Sequence, residues 1–258
     1  MVVRFLLICA LLSVSLFAKE SGRYAFRAQK YLEEGKFASA YSLYEAALLA
    51  SRKESDLLSE SRILLSMAQI RTSSLDLELA DSLLSQVRED VLDLNTKLAL
   101  LQAKISLDNI KGKHAEVISK VASVTEEMLK KAPEALLAAL YSEEAYALAA
   151  KGDIAKAEEI LEKVRKELSK KDGRYVLAKA RVADVSKASN ADSLYSEAEK
   201  ISIQENRIYR TATILYYRAL IAERNGESEK AKDFRKRSAH AFELMGLPKP
   251  QKRSLGEE

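Results

Sequence analysis

The chain has 258 residues, 42 basic against 38 acidic for a net charge of +4, with eight glycines, three prolines, two histidines, one cysteine and no tryptophan. The charges are interspersed rather than blocked, which argues against a nucleic-acid footprint. Ala, Leu, Glu, Lys and Ser dominate, and no stretch combines β-branched enrichment with strict apolar–polar alternation, so the composition excludes a sheet and predicts an all-α fold.

Residues 1–18 read as a signal peptide. Arg4 supplies a basic start, and residues 5–17 are apolar apart from Ser13 and Ser15. A bilayer-spanning helix needs roughly 20 apolar residues, more than this run offers. Ala18 is small enough for a cleavage site, so a cut after Ala18 and a periplasmic or secreted destination are expected. Cys9 follows Ile8 and lies close to Arg4, a setting unsuited to lipidation. Its removal with the leader leaves a chain without a thiol for disulfides, nucleophilic attack or metal binding. The alternative is an uncleaved leader that tethers a structural repeat protein to the membrane.

From residue 19 to 246 the sequence is periodic. Gly35, Gly112, Gly152 and Gly226 each separate two amphipathic stretches, and their spacing fits one or two units of about 37 to 40 residues. That stride predicts further turns near residues 74 and 189, where Thr72-Ser73-Ser74 and Ser189-Asn190-Ala191-Asp192 stand. Six helix hairpins are therefore expected. In the first, Tyr24, Ala28 and Tyr31 share one helical face, and Phe37, Ala40, Tyr44 and Ala47 line the return helix. The second repeats this with Leu64, Ala68, Leu77, Ala80, Leu84 and Val87. The fourth has Tyr141, Ala145, Leu148, Ile154, Ala157, Leu161 and Val164, and the last Leu215, Ala219, Ala222 and Ala231. Small residues let two helices approach closely, and large apolar ones one turn away fill the space beside the crossing.

The run from Tyr24 through Ala28, Tyr31, Gly35, Phe37, Ala40 and Tyr44 to Ala47 resembles a tetratricopeptide repeat, and the unit from Tyr141 to Val164 resembles it almost as well. The resemblance implies a right-handed α-solenoid of about six antiparallel hairpins that binds protein or peptide in a concave groove. Arg27, Glu144 and Arg218 stand where the family usually has leucine.

The chemistry is sparse. His114 and His240 lie in separate units without metal-ligand spacing, and both are expected to be solvated or partly buried. The acidic pairs Glu33-Glu34, Glu126-Glu127, Glu143-Glu144 and Glu158-Glu159 read as solvated helix faces, because sequence neighbours on a helix point about 100° apart. Gly112-Lys113 lacks the rest of a phosphate-binding loop. No enzyme, metal, cofactor or nucleic-acid partner is expected, and a cell-wall-cleaving activity would need a module for which the repeats leave no room. The basic cluster at residues 230–237 reads as a solvated face. The proline-broken residues 247–258 read as a disordered tail.

Partner contacts are expected on the first helix of each hairpin, on the face turned away from its return helix. The candidates are Gln29 and Glu33, Arg62 and Gln69, Gln102, Ser106 and Asn109, Ser142 and Tyr146, and Tyr216, Glu223 and Arg224. Tyr146 and Tyr216 are the strongest of these.

Overall fold

The computed structural model describes residues 19–170 and 172–257; the expected signal, residues 1–18, lies outside them. Among the described residues the fold is all-α, with fourteen α-helices. They are α1 (Glu20–Glu33), α2 (Phe37–Lys53), α3 (Leu57–Ser73), α4 (Leu77–Ser85), α5 (Leu94–Ile110), α6 (His114–Ala122) and α7 (Glu126–Lys131). After them come α8 (Glu134–Ala150), α9 (Ile154–Glu167), α10 (Gly173–Val185), α11 (Ala191–Gln204), α12 (Ile208–Arg224), α13 (Ser228–Leu244) and α14 (Pro248–Leu255). Hairpins pair α1 with α2, α3 with α4, α8 with α9, α10 with α11 and α12 with α13, and a sixth turn of the same kind, at Gly112, links α5 to α6 along the chain. A 3-10 turn at Glu89–Val91 and the short α7 lie between hairpins, and they account for units longer than the family's usual repeat.

All six hairpin turns share one geometry. The residue with positive φ is Gly35, Leu75, Gly112, Gly152, Lys187 or Gly226, so the expected turns near 74 and 189 are present. At Gly35 its N–H bonds the Leu32 carbonyl and the Lys36 N–H reaches the Tyr31 carbonyl at 2.9 Å. Leu75 makes the same pair of bonds, with Asp76 N–H on the Arg71 carbonyl at 2.9 Å, and so does Lys187. This double bond closes the helix end that would otherwise carry unsatisfied carbonyls. At Leu75 and Lys187 those bonds hold a side-chain-bearing residue in the left-handed region despite its steric cost.

The chain divides into two units, Met1–Leu107 with Met245–Lys249, and Asp108–Leu244 with Pro250–Glu258. In the first, Ala25, Ala28 and Leu32 of α1 are buried against α2, whose Phe37, Ala40, Tyr44 and Ala47 complete the expected stripe. The α3–α4 hairpin repeats the pattern with Leu64, Ala68, Ala80 and Leu84. In the second unit the core is handed on from hairpin to hairpin. Ala145, Leu148, Ala157 and Leu161 of α8 and α9 cluster with Ala178 and Val182 of α10. Val176 and Ala180 of α10 cluster in turn with Tyr195, Ala198 and Ile214. Leu215, Ala219 and Ala222 then meet Ala231 and Phe234.

Ala145 and Ala157 are both fully buried in that first cluster. Ala157→Leu is expected to destabilise the second unit by about 1–3 kcal/mol, since no space exists for the added carbons. Ala155→Leu, on the exposed side of the same helix, is the control and should change little. Equal urea midpoints for the two variants would show that small residues are not required at the crossing.

The three polar departures from the repeat pattern have different fates. Arg27 is exposed. Arg218 bridges helices, as described below. Glu144 is half-buried, and burial pushes its carboxyl above the usual range against the pull of Lys163. Its charged form therefore weakens the fold at neutral pH. Glu144→Leu is expected to add about 1 kcal/mol, read as a higher melting temperature. A lower one would mean that the carboxylate has a partner worth keeping.

Within residues 247–258, expected to be a disordered tail, Pro248–Leu255 form α14. Pro248 opens the helix and Pro250 sits in its first turn, where backbone N–H groups have no intrahelical acceptor and proline is tolerated. Pro250 and Ser254 are buried. Ser238 donates to the Ala212 carbonyl at 2.8 Å and accepts from Ser254 at 2.9 Å, while Arg235 donates to the Ser254 carbonyl at 2.8 Å. These bonds, with α12 and α13 as the platform, hold the end of the chain.

Candidate functional site

The candidate contact residues divide sharply by what they already touch. In the first unit Gln29 accepts from the buried Tyr44 hydroxyl at 3.1 Å and donates to Glu33 at 3.1 Å. It belongs to the α1–α2 seam rather than to an open surface. Arg62 pairs with Asp93 at 2.5 Å. Gln69 on α3 and Gln102 on α5 are half-exposed, and their amides have no side-chain partner. Ser106 is half-buried.

In the second unit the candidates belong to a network that the sequence does not announce. Asn109 is buried and donates to the Glu143 carbonyl at 2.9 Å and to Glu143 Oε2 at 2.8 Å. Its Oδ1 is then the acceptor facing His114 Nδ1 at 3.0 Å, so the imidazole carries its proton on Nδ1. Glu143 in turn pairs with Arg181 of α10 at 3.3 Å. The Arg181 guanidinium lies 4.4 Å from the centre of the Tyr146 ring, and His114 meets the same ring edge-on at 5.7 Å. Burial works against the Arg181 charge, but Glu143 and the neighbouring Tyr217 phenol hold its pKa above the ordinary guanidinium value.

Tyr217 of α12 continues the row. It stacks on the buried Tyr195 at 5.6 Å and meets Tyr216 edge-on at 5.6 Å. The Tyr216 hydroxyl accepts from Arg253 Nε of α14 at 3.1 Å. Glu223 pairs with Arg235 at 2.5 Å, and Arg224 with Asp184. Ser142 spends its hydroxyl on the Ala138 carbonyl of its own helix at 2.6 Å. The first helices α8, α10 and α12 thus carry one connected band of rings and charges. The named candidates Tyr146 and Tyr216 are in it, while Arg181, Tyr195, Tyr217 and Arg253 were not singled out and Glu143 was expected only as part of a solvated acidic pair.

The acidic pairs separate in the same way. Glu33-Glu34, Glu126-Glu127 and Glu158-Glu159 are exposed, as expected for solvated faces. Glu143 is not: it is buried and Glu144 is half-buried, because both Asn109 and Arg181 demand a carboxylate there. In the basic cluster, Lys230 pairs with Asp192 and Glu227, Arg235 with Glu223, and Arg237 with Glu199 and Asp233. Lys232 and Lys236 face water.

His240 is exposed, 3.5 Å from Glu243. His114 is half-buried, and burial, then Lys151, holds its imidazole below the ordinary value of 6.5. A histidine depressed in this way contributes stability that is complete above pH 6.5 and fades as pH falls through the folded-state value. A proton NMR titration should place the His114 midpoint below 6.5, and Lys151→Ala should raise it. A midpoint unmoved by that substitution would remove Lys151 as a cause.

A cleft of about 470 Å³ also opens beside α9, α10 and α11, over Val176 and Leu194. Its rim carries both signs, with Arg165 committed to Glu162 at 2.5 Å and Lys170, Lys179 and Glu197 beside it. Among the described residues no group of His, Cys, Asp and Glu side chains is placed to hold a metal ion, and no helix is long and apolar enough to cross a membrane.

No family model matches the chain, and no curated protein matches it either. Among solved structures it is similar to a tetratricopeptide repeat protein from Parabacteroides merdae, with a TM-score of 0.45 and 14% identity over 91% of this chain and 98% of that one. That likeness is distant, and the hairpin geometry above stands without it.

Proposed function

We propose that this chain is an exported, non-catalytic scaffold that holds a partner polypeptide along the first helices of its hairpins. The observation that carries the reading is the band from His114 through Tyr146 and Arg181 to Tyr217, in which rings and a charge-balanced guanidinium are fixed across α8, α10 and α12. Side chains ordered before a partner arrives lose little freedom on binding, and tyrosine and arginine are the residues that most often anchor such contacts. Taken by itself, the first unit offers the Gln69 and Gln102 amides, which have no side-chain partner and suit the backbone of an extended chain. Export rests on residues 1–18 alone.

Photo-crosslinking amino acids placed at positions 69, 102 and 146, with position 158 on the exposed side of α9 as control, test the reading in the cell envelope. Partner adducts confined to the first three positions are expected. Adducts only at 158, or equal labelling everywhere, would remove the first-helix surface from consideration. Arg181→Lys supplies a milder probe, because it keeps the charge and gives up the planar contact with Tyr146.

A further inference from the structure

The band on α8, α10 and α12 has hydrogen-bond donors to offer and few acceptors. Tyr146 and Tyr217 are half-buried, and neither hydroxyl has a hydrogen-bond partner among the described residues. Neither is one of the buried polar atoms left without a partner, so both open to solvent. Arg181 lies against the Tyr146 ring at 4.4 Å, and its charge also acts on the Tyr217 phenol. Of the five N–H groups of that guanidinium, two are engaged, with Glu143 at 3.4 and 3.3 Å. The carboxylates in contact with the band, by contrast, are taken. Glu143 accepts from Asn109 and Arg181, and Asp184 from Arg224 and, at 3.4 Å, from the Tyr195 hydroxyl. Arg181 and Arg224 each have a carboxylate of their own, so the two bring no surplus charge. Among the described residues, no large apolar side chain of α8 or α10 is exposed.

We infer that the partner segment held by this band is proline-rich and lies in the polyproline II conformation. This rests on the partner-holding role proposed above and names the chemistry of the partner. A polyproline II segment leaves its backbone carbonyls unpaired, and proline has no N–H. It therefore asks a surface for donors and not for acceptors, which is the balance that Tyr146, Tyr217 and Arg181 present. An ordinary extended chain would turn its N–H groups toward carboxylates that are already engaged. Proline rings also pack on aromatic faces, and Tyr216 and Tyr217, edge-on to each other at 5.6 Å, present two orientations of ring side by side. An amphipathic helix would need open apolar side chains, which α8 and α10 lack. A phosphate or free carboxylate would need surplus positive charge, which Arg181 and Arg224 do not supply. The stride fits as well. A polyproline II chain brings the same side round every three residues, about 9 Å along its axis. Helices packed together, as α8 and α10 are, lie about 8–10 Å apart, so two successive turns of the guest meet both.

Fluorescein-labelled decaproline, titrated with the full chain and read by anisotropy, tests this, with a glycine–serine peptide of equal length as control. Saturable binding of decaproline alone is expected. Tyr146→Phe and Tyr217→Phe keep the rings and should each weaken it about fivefold, the worth of one neutral hydrogen bond. Their melting temperatures should match that of the unsubstituted chain, since neither hydroxyl bonds to protein, so weaker binding cannot be ascribed to unfolding. No binding of decaproline, equal binding of the glycine–serine peptide, or unchanged affinity in both variants would overturn the inference. Mass spectrometry of the photo-crosslinked adduct at position 146 distinguishes it from the role on which it rests. A crosslinked segment without proline would overturn the polyproline assignment and leave the partner-holding role in place. Decaproline binding with no adduct at position 146 in the envelope would do the reverse.

Discussion

Glu199→Ala is expected to lower the stability of the second unit by about 3–5 kcal/mol, an effect of a size seen when one member of a buried ion pair is removed. The Glu199 side chain is 8% exposed and accepts from Arg218 at 2.6 Å and from Arg237 at 2.7 Å. It therefore ties α11 to α12 and α13 at once. Arg218 would keep Asp192 at 2.8 Å and its place 4.4 Å from the Phe234 ring, but the acid that faces it from the middle of α11 would be gone. Arg237 is 45% exposed, so water screens its share of the loss, and the damage falls on the Arg218 side. Arg218→Leu, which restores the residue usual in the tetratricopeptide pattern, should also destabilise the unit because Glu199 stays behind. The double variant Glu199→Leu/Arg218→Leu should recover most of both losses, since apolar packing can replace a complete buried pair. Urea unfolding followed by circular dichroism measures all three. A loss below about 1 kcal/mol for Glu199→Ala would mean that the pair behaves as a surface contact.

That bridge explains why one apparent departure from the repeat pattern is tolerated, and it marks the boundary of what the sequence makes legible. The hairpins are readable because their cause is local and periodic. Small residues such as Ala28, Ala40, Ala145 and Ala157 recur at helical spacing beside large ones, and each is fully buried in the structure. Four of the six turns are marked by glycine; the other two are located by the stride and the polar runs beside them, since Leu75 and Lys187 themselves carry no turn signature. The end of the chain misleads because two prolines read as a helix breaker, although proline at the opening of a helix displaces no hydrogen bond. What holds α14 is a set of contacts from Ser238 and Arg235, which no local pattern reveals. The same limit applies to the candidate site. Asn109 and Arg181 find Glu143 across 34 and 38 residues of chain, and a long-range pair of this kind leaves no trace in periodicity. Gly173 is a further case: a Cβ there would stand 2.8 Å from Arg210 Nη1 and 2.9 Å from Ile201, a close approach that only the folded chain creates.

The second large effect is expected at Glu143, where stability and the proposed surface meet. Glu143→Ala removes the one carboxylate that joins Asn109 to Arg181, leaving a buried amide donor with only a backbone carbonyl and a guanidinium without its nearest countercharge. The Arg181 and Glu143 side chains are 22% and 11% exposed, so solvent can replace little of what is lost. A destabilisation of about 3 kcal/mol follows for the unit. Glu143→Gln should cost less, because its amide oxygen can still accept from Asn109 or Arg181, though without the charge. The two variants separate folding from binding. If the band holds a partner as proposed, Glu143→Gln should stay folded yet lose the crosslink at position 146, because Arg181 no longer lies fixed against the Tyr146 ring. Should Glu143→Gln keep both its melting temperature and that crosslink, the network would be neither a structural brace nor an ordered binding surface, and the partner would have to sit elsewhere, with Gln69 and Gln102 the residues to try next.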